Sequence, residues 1–272
     1  MSQDLTVISL PNGRIDQPQS FSLSNGNAAY FIAPSSERSK ENLNQDSLLI
    51  LDMREEGIVL CVADGLGGAR GGDQASRIAL ESLQESVLSS AGKEPLRARI
   101  INGFESANQR ILDLGIGAGS TLVVVEVGKE SFRAYTVGDS EVLVMGQKGV
   151  VLFSSLPQSP VGYAVESGMI EPQAAIFHSD RHIVSSVLGS NEMHIHLHSE
   201  MPLKERDTVV LATDGVFDNV FREEVVESVR SGSLLTGLES LVSLTQKRMT
   251  AARNGKPSKP DDVAVIVFRR TP

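Results

Sequence analysis

Val62-Ala63-Asp64-Gly65-Leu66-Gly67-Gly68 decides how this chain is read. A short apolar run, residues 59–63, delivers one carboxylate into a loop rich in glycine. The run is too short for a stable helix and reads as a strand. Glycines after it let backbone approach a ligand more closely than a side chain allows. The pattern recurs. Leu211-Ala212-Thr213 leads into Asp214-Gly215, Tyr135-Thr136-Val137-Gly138 leads into Asp139-Ser140, and Asp261-Asp262 opens the apolar run 263–268. One Asp beside Gly is ordinarily a turn or a helix cap. Acids repeated at four strand termini, without matching His or Cys, suit a hard divalent cation, which takes carboxylate and carbonyl oxygens. The pattern points to metal-assisted phosphoryl chemistry.

Composition narrows the field. The chain has 272 residues, 40% of them hydrophobic, and no Gly/Ser/Pro-rich linker divides it. The expected organisation is a loose lead-in over 1–27 and one domain over 28–272. Lys and Arg total 25 against 34 Asp and Glu, a net charge of -9, and aromatic residues make up 4%. Such a chain is a poor nucleic-acid binder, which needs basic surface and stacking rings. A single cysteine, Cys61, excludes an intrachain disulfide and fits a reducing, cytoplasmic setting. It lies in an apolar run without the Cys-x5-Arg loop of thiol phosphatases, so it reads as core packing. The N-terminal pattern is not that of a signal peptide. No window approaches the roughly 20 apolar residues of a membrane span.

Residues 121–127 and 131–137 read as a hairpin, and 141–145 and 150–153 continue it as an antiparallel meander. Ala75, Ile78, Ala79, Leu83 and Val87 share one helical face, as do Ile100, Phe104, Ala107 and Ile111. Residues 225–229 and 235–249 form a second helical pair near the C-terminus. Helices in blocks between runs of strands argue for an α+β architecture rather than a doubly wound sheet. Residues 155–180, with Pro157, Pro160 and Pro172, read as a lid beside a site.

The order of these boxes resembles the metal-dependent protein phosphatases of type 2C, the PPM family, in its bacterial form. The resemblance runs over about residues 28–270 and rests on Asn44-Gln45-Asp46, Asp64-Gly65-Leu66-Gly67-Gly68, Gly119-Ser120-Thr121, Gly138-Asp139-Ser140, Thr213-Asp214-Gly215 with Asp218, and Asp261-Asp262. It implies a four-layer α-β-β-α sandwich of two antiparallel sheets flanked by helices. It also implies two Mn²⁺ or Mg²⁺ ions and a third, weaker one. Asp64 would bridge two ions, the Gly65 carbonyl would hold one, and Asp214 and Asp261 would complete the other shell. Asp46 lies beside the pair, and Asp139 and Asp218 match the third-ion positions. Asp64, Asp214 and Asp261 would carry catalysis by a metal-activated water. The implied substrate is phosphoserine or phosphothreonine in a protein, opposing a Ser/Thr kinase, with the enzyme a monomer.

The chain departs from the family at several positions. Glu41 stands where an Arg usually grips the substrate phosphate; Arg38 and Lys40 are near but out of register. Gln45 replaces a common Glu, Leu66 stands where animal members carry His, Asp262 replaces Asn, and Ala264 replaces Thr or Ser. Pro157-Gln158 stands for the family's common Asp-His pair. Two alternatives therefore stay open: a catalytically weak, phosphoprotein-binding regulatory module, and a hydrolase of small phosphate esters. His194, His196 and His198 alternate as an exposed strand face or, alternatively, a zinc site. Arg70, Arg269 and Arg270 are lesser candidates for touching phosphate.

Overall fold

Strands buried on both faces need apolar side chains at every position, and the central runs of this chain supply them. The computed structural model describes residues 5–35, 43–66, 71–251 and 255–271. In chain order the first strands are β1 (Thr6–Leu10), β2 (Gln19–Leu23), β3 (Gly26–Ala33), β4 (Asp46–Asp52) and β5 (Ile58–Asp64). Helices α1 (Gly72–Ser89) and α2 (Leu96–Leu112) follow. Next come β6 (Leu122–Val127), β7 (Ser131–Val137), β8 (Glu141–Met145) and β9 (Val151–Ser154), then short helices α3 (Pro160–Glu166) and α4 (Pro172–Ala175). The chain continues through β10 (His196–Leu197), β11 (Met201–Pro202), β12 (Thr208–Ala212), α5 (Asp214–Phe217), α6 (Arg222–Val229) and α7 (Leu234–Thr250), and closes with β13 (Val263–Arg270).

The strands form two antiparallel sheets, one ordered β1-β4-β5-β6-β7-β10 with β11 also on β7, the other β2-β3-β13-β12-β8-β9. Side-chain alternation assigns the layers. On β5, Val59, Cys61 and Ala63 face α1 and α2, whereas Ile58, Leu60 and Val62 face the other sheet. On β13, Ala264, Ile266 and Phe268 meet them between the sheets, and Val263, Val265 and Val267 turn outward to α5–α7. The result is the four-layer α-β-β-α sandwich. Both predicted faces of α1 and α2 lie in the first outer layer. Burial pushes the Cys61 thiol pKa up, as expected for a packing residue.

Two expectations need correction. Residues 5–27 are not a loose lead-in: β1 pairs with β4 and β2 pairs with β3, one strand for each sheet. Its polar residues hid the signal, because both are edge strands with one side toward water. Residues 121–153 are not one meander either. They are two hairpins in different sheets, since β7 stays with β6 while β8 crosses to pair with β12. Local spacing shows the hairpins but not the long-range partner of β8.

The N-terminal segment also braces the site. Asn12, at φ 51°, donates through Nδ2 to the carbonyls of Asn44 (2.8 Å) and Asp73 (3.0 Å). Asn12→Gly keeps the left-handed backbone and removes both bonds. It is expected to cost about 1–3 kcal/mol in urea unfolding; an unchanged midpoint would contradict this bracing role.

Candidate metal centre

Antiparallel register places the first two acids. Asp46 opens β4 and Asp64 closes β5, and the two are directly opposite one another. Like charges in such a pair repel. Asp214 starts α5 just after β12, and Asp261 lies just before β13, at the same end of the paired strands β12 and β13. Asp139 lies in the crossing between β7 and β8, and Asp218 caps α5. The two Asp-Gly steps owe their glycines to packing. A Cβ on Gly65 would collide with the Gly72 carbonyl, and one on Gly215 with the Asp262 carbonyl.

Hydrogen bonds hold the backbone under these acids. The Asp64 amide donates to Thr121 Oγ1 (3.0 Å), and the Thr121 amide donates back to the Asp64 carbonyl (2.8 Å). Thr121 Oγ1 is 2.8 Å from Ser140 Oγ, so the Gly-Ser-Thr and Gly-Asp-Ser boxes interlock. Thr213 Oγ1 donates to Asp46 Oδ2 (2.8 Å) and accepts from the Ala264 amide (3.0 Å). Asp262, beside the cluster, is held by backbone amides. Its two carboxylate oxygens accept the amides of Ser35 (2.8 Å) and Gln45 (2.7 Å), one on each oxygen, so an Asn in the same pose would set its NH2 against one of these donors.

The electrostatics are those of negative charge crowded out of water. Burial first, then Asp262 and the neighbouring acids Asp261 and Asp214, push the Asp46 pKa far above the usual carboxylate range. Burial, then Asp46, Asp214, Asp261 and Asp139, do the same to Asp64. Burial, Asp214 and Asp218 raise Asp139. Asp218 and Asp261 are each raised to about 6, by burial and then by Asp214. No Lys or Arg of the described residues forms an ion pair with Asp46, Asp64 or Asp139.

The other side of the cluster does have a cation. Lys259 Nζ contacts Asp214 Oδ2 and lies 2.9 Å from Asp218 Oδ2 and 3.1 Å from Asp261 Oδ2. Burial disfavours its charge, but the three carboxylates outweigh that and raise its pKa. Among the described residues, no three His, Cys, Asp or Glu side chains are already closed around a point as a finished metal shell. The donor set nevertheless fits a hard divalent ion, being all oxygen, buried or half-buried, and without an ion-paired Lys or Arg at Asp46 and Asp64 among the described residues.

Lys259 escaped the sequence reading. Its one signal was a cation two residues before Asp261. Arg181 also went unnoticed; its Nε lies 3.7 Å from Asp218 Oδ2 and its guanidinium donates to the Ser258 carbonyl (3.2 Å). The expected lid contributes α3 and α4, which wall a cleft of about 270 Å³ with Asp139, Asp214, Asp218, Arg181 and Arg222. Arg222 pairs there with Glu141, whose pKa burial raises to about 7 despite that partner. Gly67, Gly68 and Arg70, and likewise Arg38, Lys40 and Glu41, lie outside the described residues. His196 and His198 have ring centroids 6.5 Å apart, and His198 packs edge-on to Phe153 at 5.0 Å. Arg269 donates to carbonyls of Val229 and Gly232, away from the acids.

A carboxylate cluster of oxygen donors at one end of a two-sheet sandwich is an arrangement suited to divalent cations. The sequence profile for protein phosphatase 2C matches residues 35–243, and the chain belongs to that family. It is 26% identical over 204 residues to the serine/threonine phosphatase stp of Listeria innocua, covering 71% of this chain and 80% of that one. It is also 26% identical over 200 residues to the protein phosphatase PhpP of Streptococcus pneumoniae, covering 71% and 80% respectively. Its fold is that of the Mycobacterium tuberculosis serine/threonine phosphatase PstP/Ppp, with a TM-score of 0.71 at 22% identity over 90% of this chain and 99% of that one. Stp1 of Staphylococcus aureus gives a TM-score of 0.74 at 21% identity over 96% and 99%.

The raised acids imply a pH dependence. In the cation-free protein Asp218 and Asp261 titrate near 6, against about 4 in an unfolded chain. Between those values the folded state holds more protons, so stability is greatest below the unfolded pKa and falls as pH rises through about 6. Melting in chelator is therefore expected to drop across that window, and Mn²⁺ to restore it at the upper end. A melting temperature that stays level or rises there would contradict the shifts.

Proposed function

We propose that this chain is a Mn²⁺- or Mg²⁺-dependent phosphatase acting on phosphoserine and phosphothreonine in proteins. The observation that carries this reading is the gathering of Asp46, Asp64, Asp139, Asp214, Asp218 and Asp261 at one end of the sandwich, where burial and neighbouring acids raise the pKa of Asp46, Asp64, Asp139, Asp218 and Asp261. Family membership supports the reaction class. The relatives named as serine/threonine phosphatases support the substrate class and do not favour the regulatory-module alternative. A similar structure, the catalytic domain of PstP, is in complex with two manganese ions, at a TM-score of 0.68 and 20% identity.

Asp64 and the Gly65 carbonyl would hold a divalent ion, with Asp46 beside them; Asp214 and Asp261 would serve a second, and Asp139 and Asp218 a third. The ions would supply charge neutralisation at the phosphoryl oxygens and a water of lowered pKa. The chain's own contribution is placement. Thr213 orients the Asp46 carboxylate by donating to one oxygen, leaving the other for a ligand. Thr121 and the carbonyl of Gln45, which accepts the Gly65 amide at 2.9 Å, fix the backbone of Asp64-Gly65. The cleft beside Asp139 and Asp218 has apolar walls from Val161, Val165 and Phe217, suited to residues flanking a phosphorylated side chain. Substrate phosphate is dianionic near neutral pH and needs cations. Arg181, paired with Asp218 and half-buried, is a cation that lines that mouth. A cytoplasmic monomer opposing a Ser/Thr kinase fits this reading, and no helix of the described residues is long and apolar enough to cross a membrane.

The decisive assay is hydrolysis of a phosphothreonine peptide with excess Mn²⁺ or excess chelator. Turnover is expected only with Mn²⁺, and Asp64→Asn and Asp214→Asn are each expected to lower it by about 10²-fold or more while the fold persists. Chelator-resistant turnover, or a normal rate in either variant, would overturn the proposal.

A further inference from the structure

Lys259 stands where a divalent ion would be expected to sit. Its ammonium lies within 3.1 Å of carboxylate oxygens from both Asp218 and Asp261 and contacts Asp214 as well. The placement is built into the fold. The Lys259 amide donates to Asn219 Oδ1 (2.7 Å), and Asn219 Nδ2 donates back to the Lys259 carbonyl (2.8 Å). Asn219 is fully buried and also donates to the Gly215 carbonyl (2.9 Å), tying the lysine's backbone to the turn that carries Asp214. Pro257 and Pro260 flank the residue and restrict that backbone further. Only the side chain retains freedom to leave.

A divalent ion coordinated by these carboxylates and an ammonium hydrogen-bonded to the same oxygens need the same space and repel each other. Resting on the phosphatase reading above, we propose that Lys259 is a tethered cation that neutralises the Asp214–Asp218–Asp261 side of the centre in the metal-free protein and competes with one divalent ion for it. Asp46 and Asp64, which have no such partner among the described residues, take an ion without that competition. The metal-free fold is thereby spared part of its charge repulsion, and the centre loads one ion more weakly than the other.

Isothermal titration of Mn²⁺ into the chelator-stripped protein tests this without reference to turnover. Lys259→Met keeps the stem and removes the charge. The weaker Mn²⁺ site is expected to tighten by about tenfold or more, and melting in chelator is expected to fall. Lys259→Gln, which keeps a hydrogen-bond donor, covers a Met variant that fails to fold, and the same tightening is expected. Tight Mn²⁺ binding with superimposable isotherms for wild type and variants would overturn the role of Lys259 and leave the metal centre standing. Absence of Mn²⁺ binding in all three would overturn the metal centre and the competition together.

Discussion

The fold is organised around a repulsion. Antiparallel pairing sets Asp46 opposite Asp64, and the paired ends of β12 and β13 carry Asp214 and Asp261 into the same region. Buried like charges cost free energy unless they are protonated or met by cations. Each shifted pKa in the cluster expresses that cost. A fold that keeps such an arrangement must brace it mechanically and must neutralise it chemically.

Bracing comes from residues that hold backbone rather than carboxylates. Thr121, Ser140 and Ser120 lock β6 to the ends of β5 and β7; Ser120 Oγ reaches the Asp64 carbonyl at 3.0 Å. Asp262 clamps two amides, and Asn12 reaches from the N-terminal segment to both the Asn44 loop and the start of α1. Neutralisation is uneven among the described residues, because Lys259 pairs with Asp214, Asp218 and Asp261 but not with Asp46 or Asp64.

Much of this was legible in the residues. Apolar runs at 59–63, 209–212 and 263–268 marked strands, and the helical faces of residues 75–87 and 100–111 marked helices that share one outer layer. The acids were visible because each follows or precedes such a run. The rest depends on long-range pairing that local patterns do not encode. Half-exposed edge strands β1 and β2 resemble loop sequence, and β8 gives no sign that it leaves the sheet of β7. Lys259 carries no sequence motif beyond the prolines near it. Only the turn through Asn219 brings it among the carboxylates. Asp262 looked like a lost Asn, whereas the structure gives it two amides to accept.

Divalent ions are expected to complete this carboxylate cluster. Anomalous diffraction from crystals grown with Mn²⁺ tests this most directly. The account predicts manganese peaks against the carboxylates of Asp64 and Asp46 and, with Lys259 displaced, against Asp214 and Asp261. Ordered crystals at saturating Mn²⁺ with no anomalous density at Asp64, or with manganese bound only at His194, His196 or His198, would contradict it.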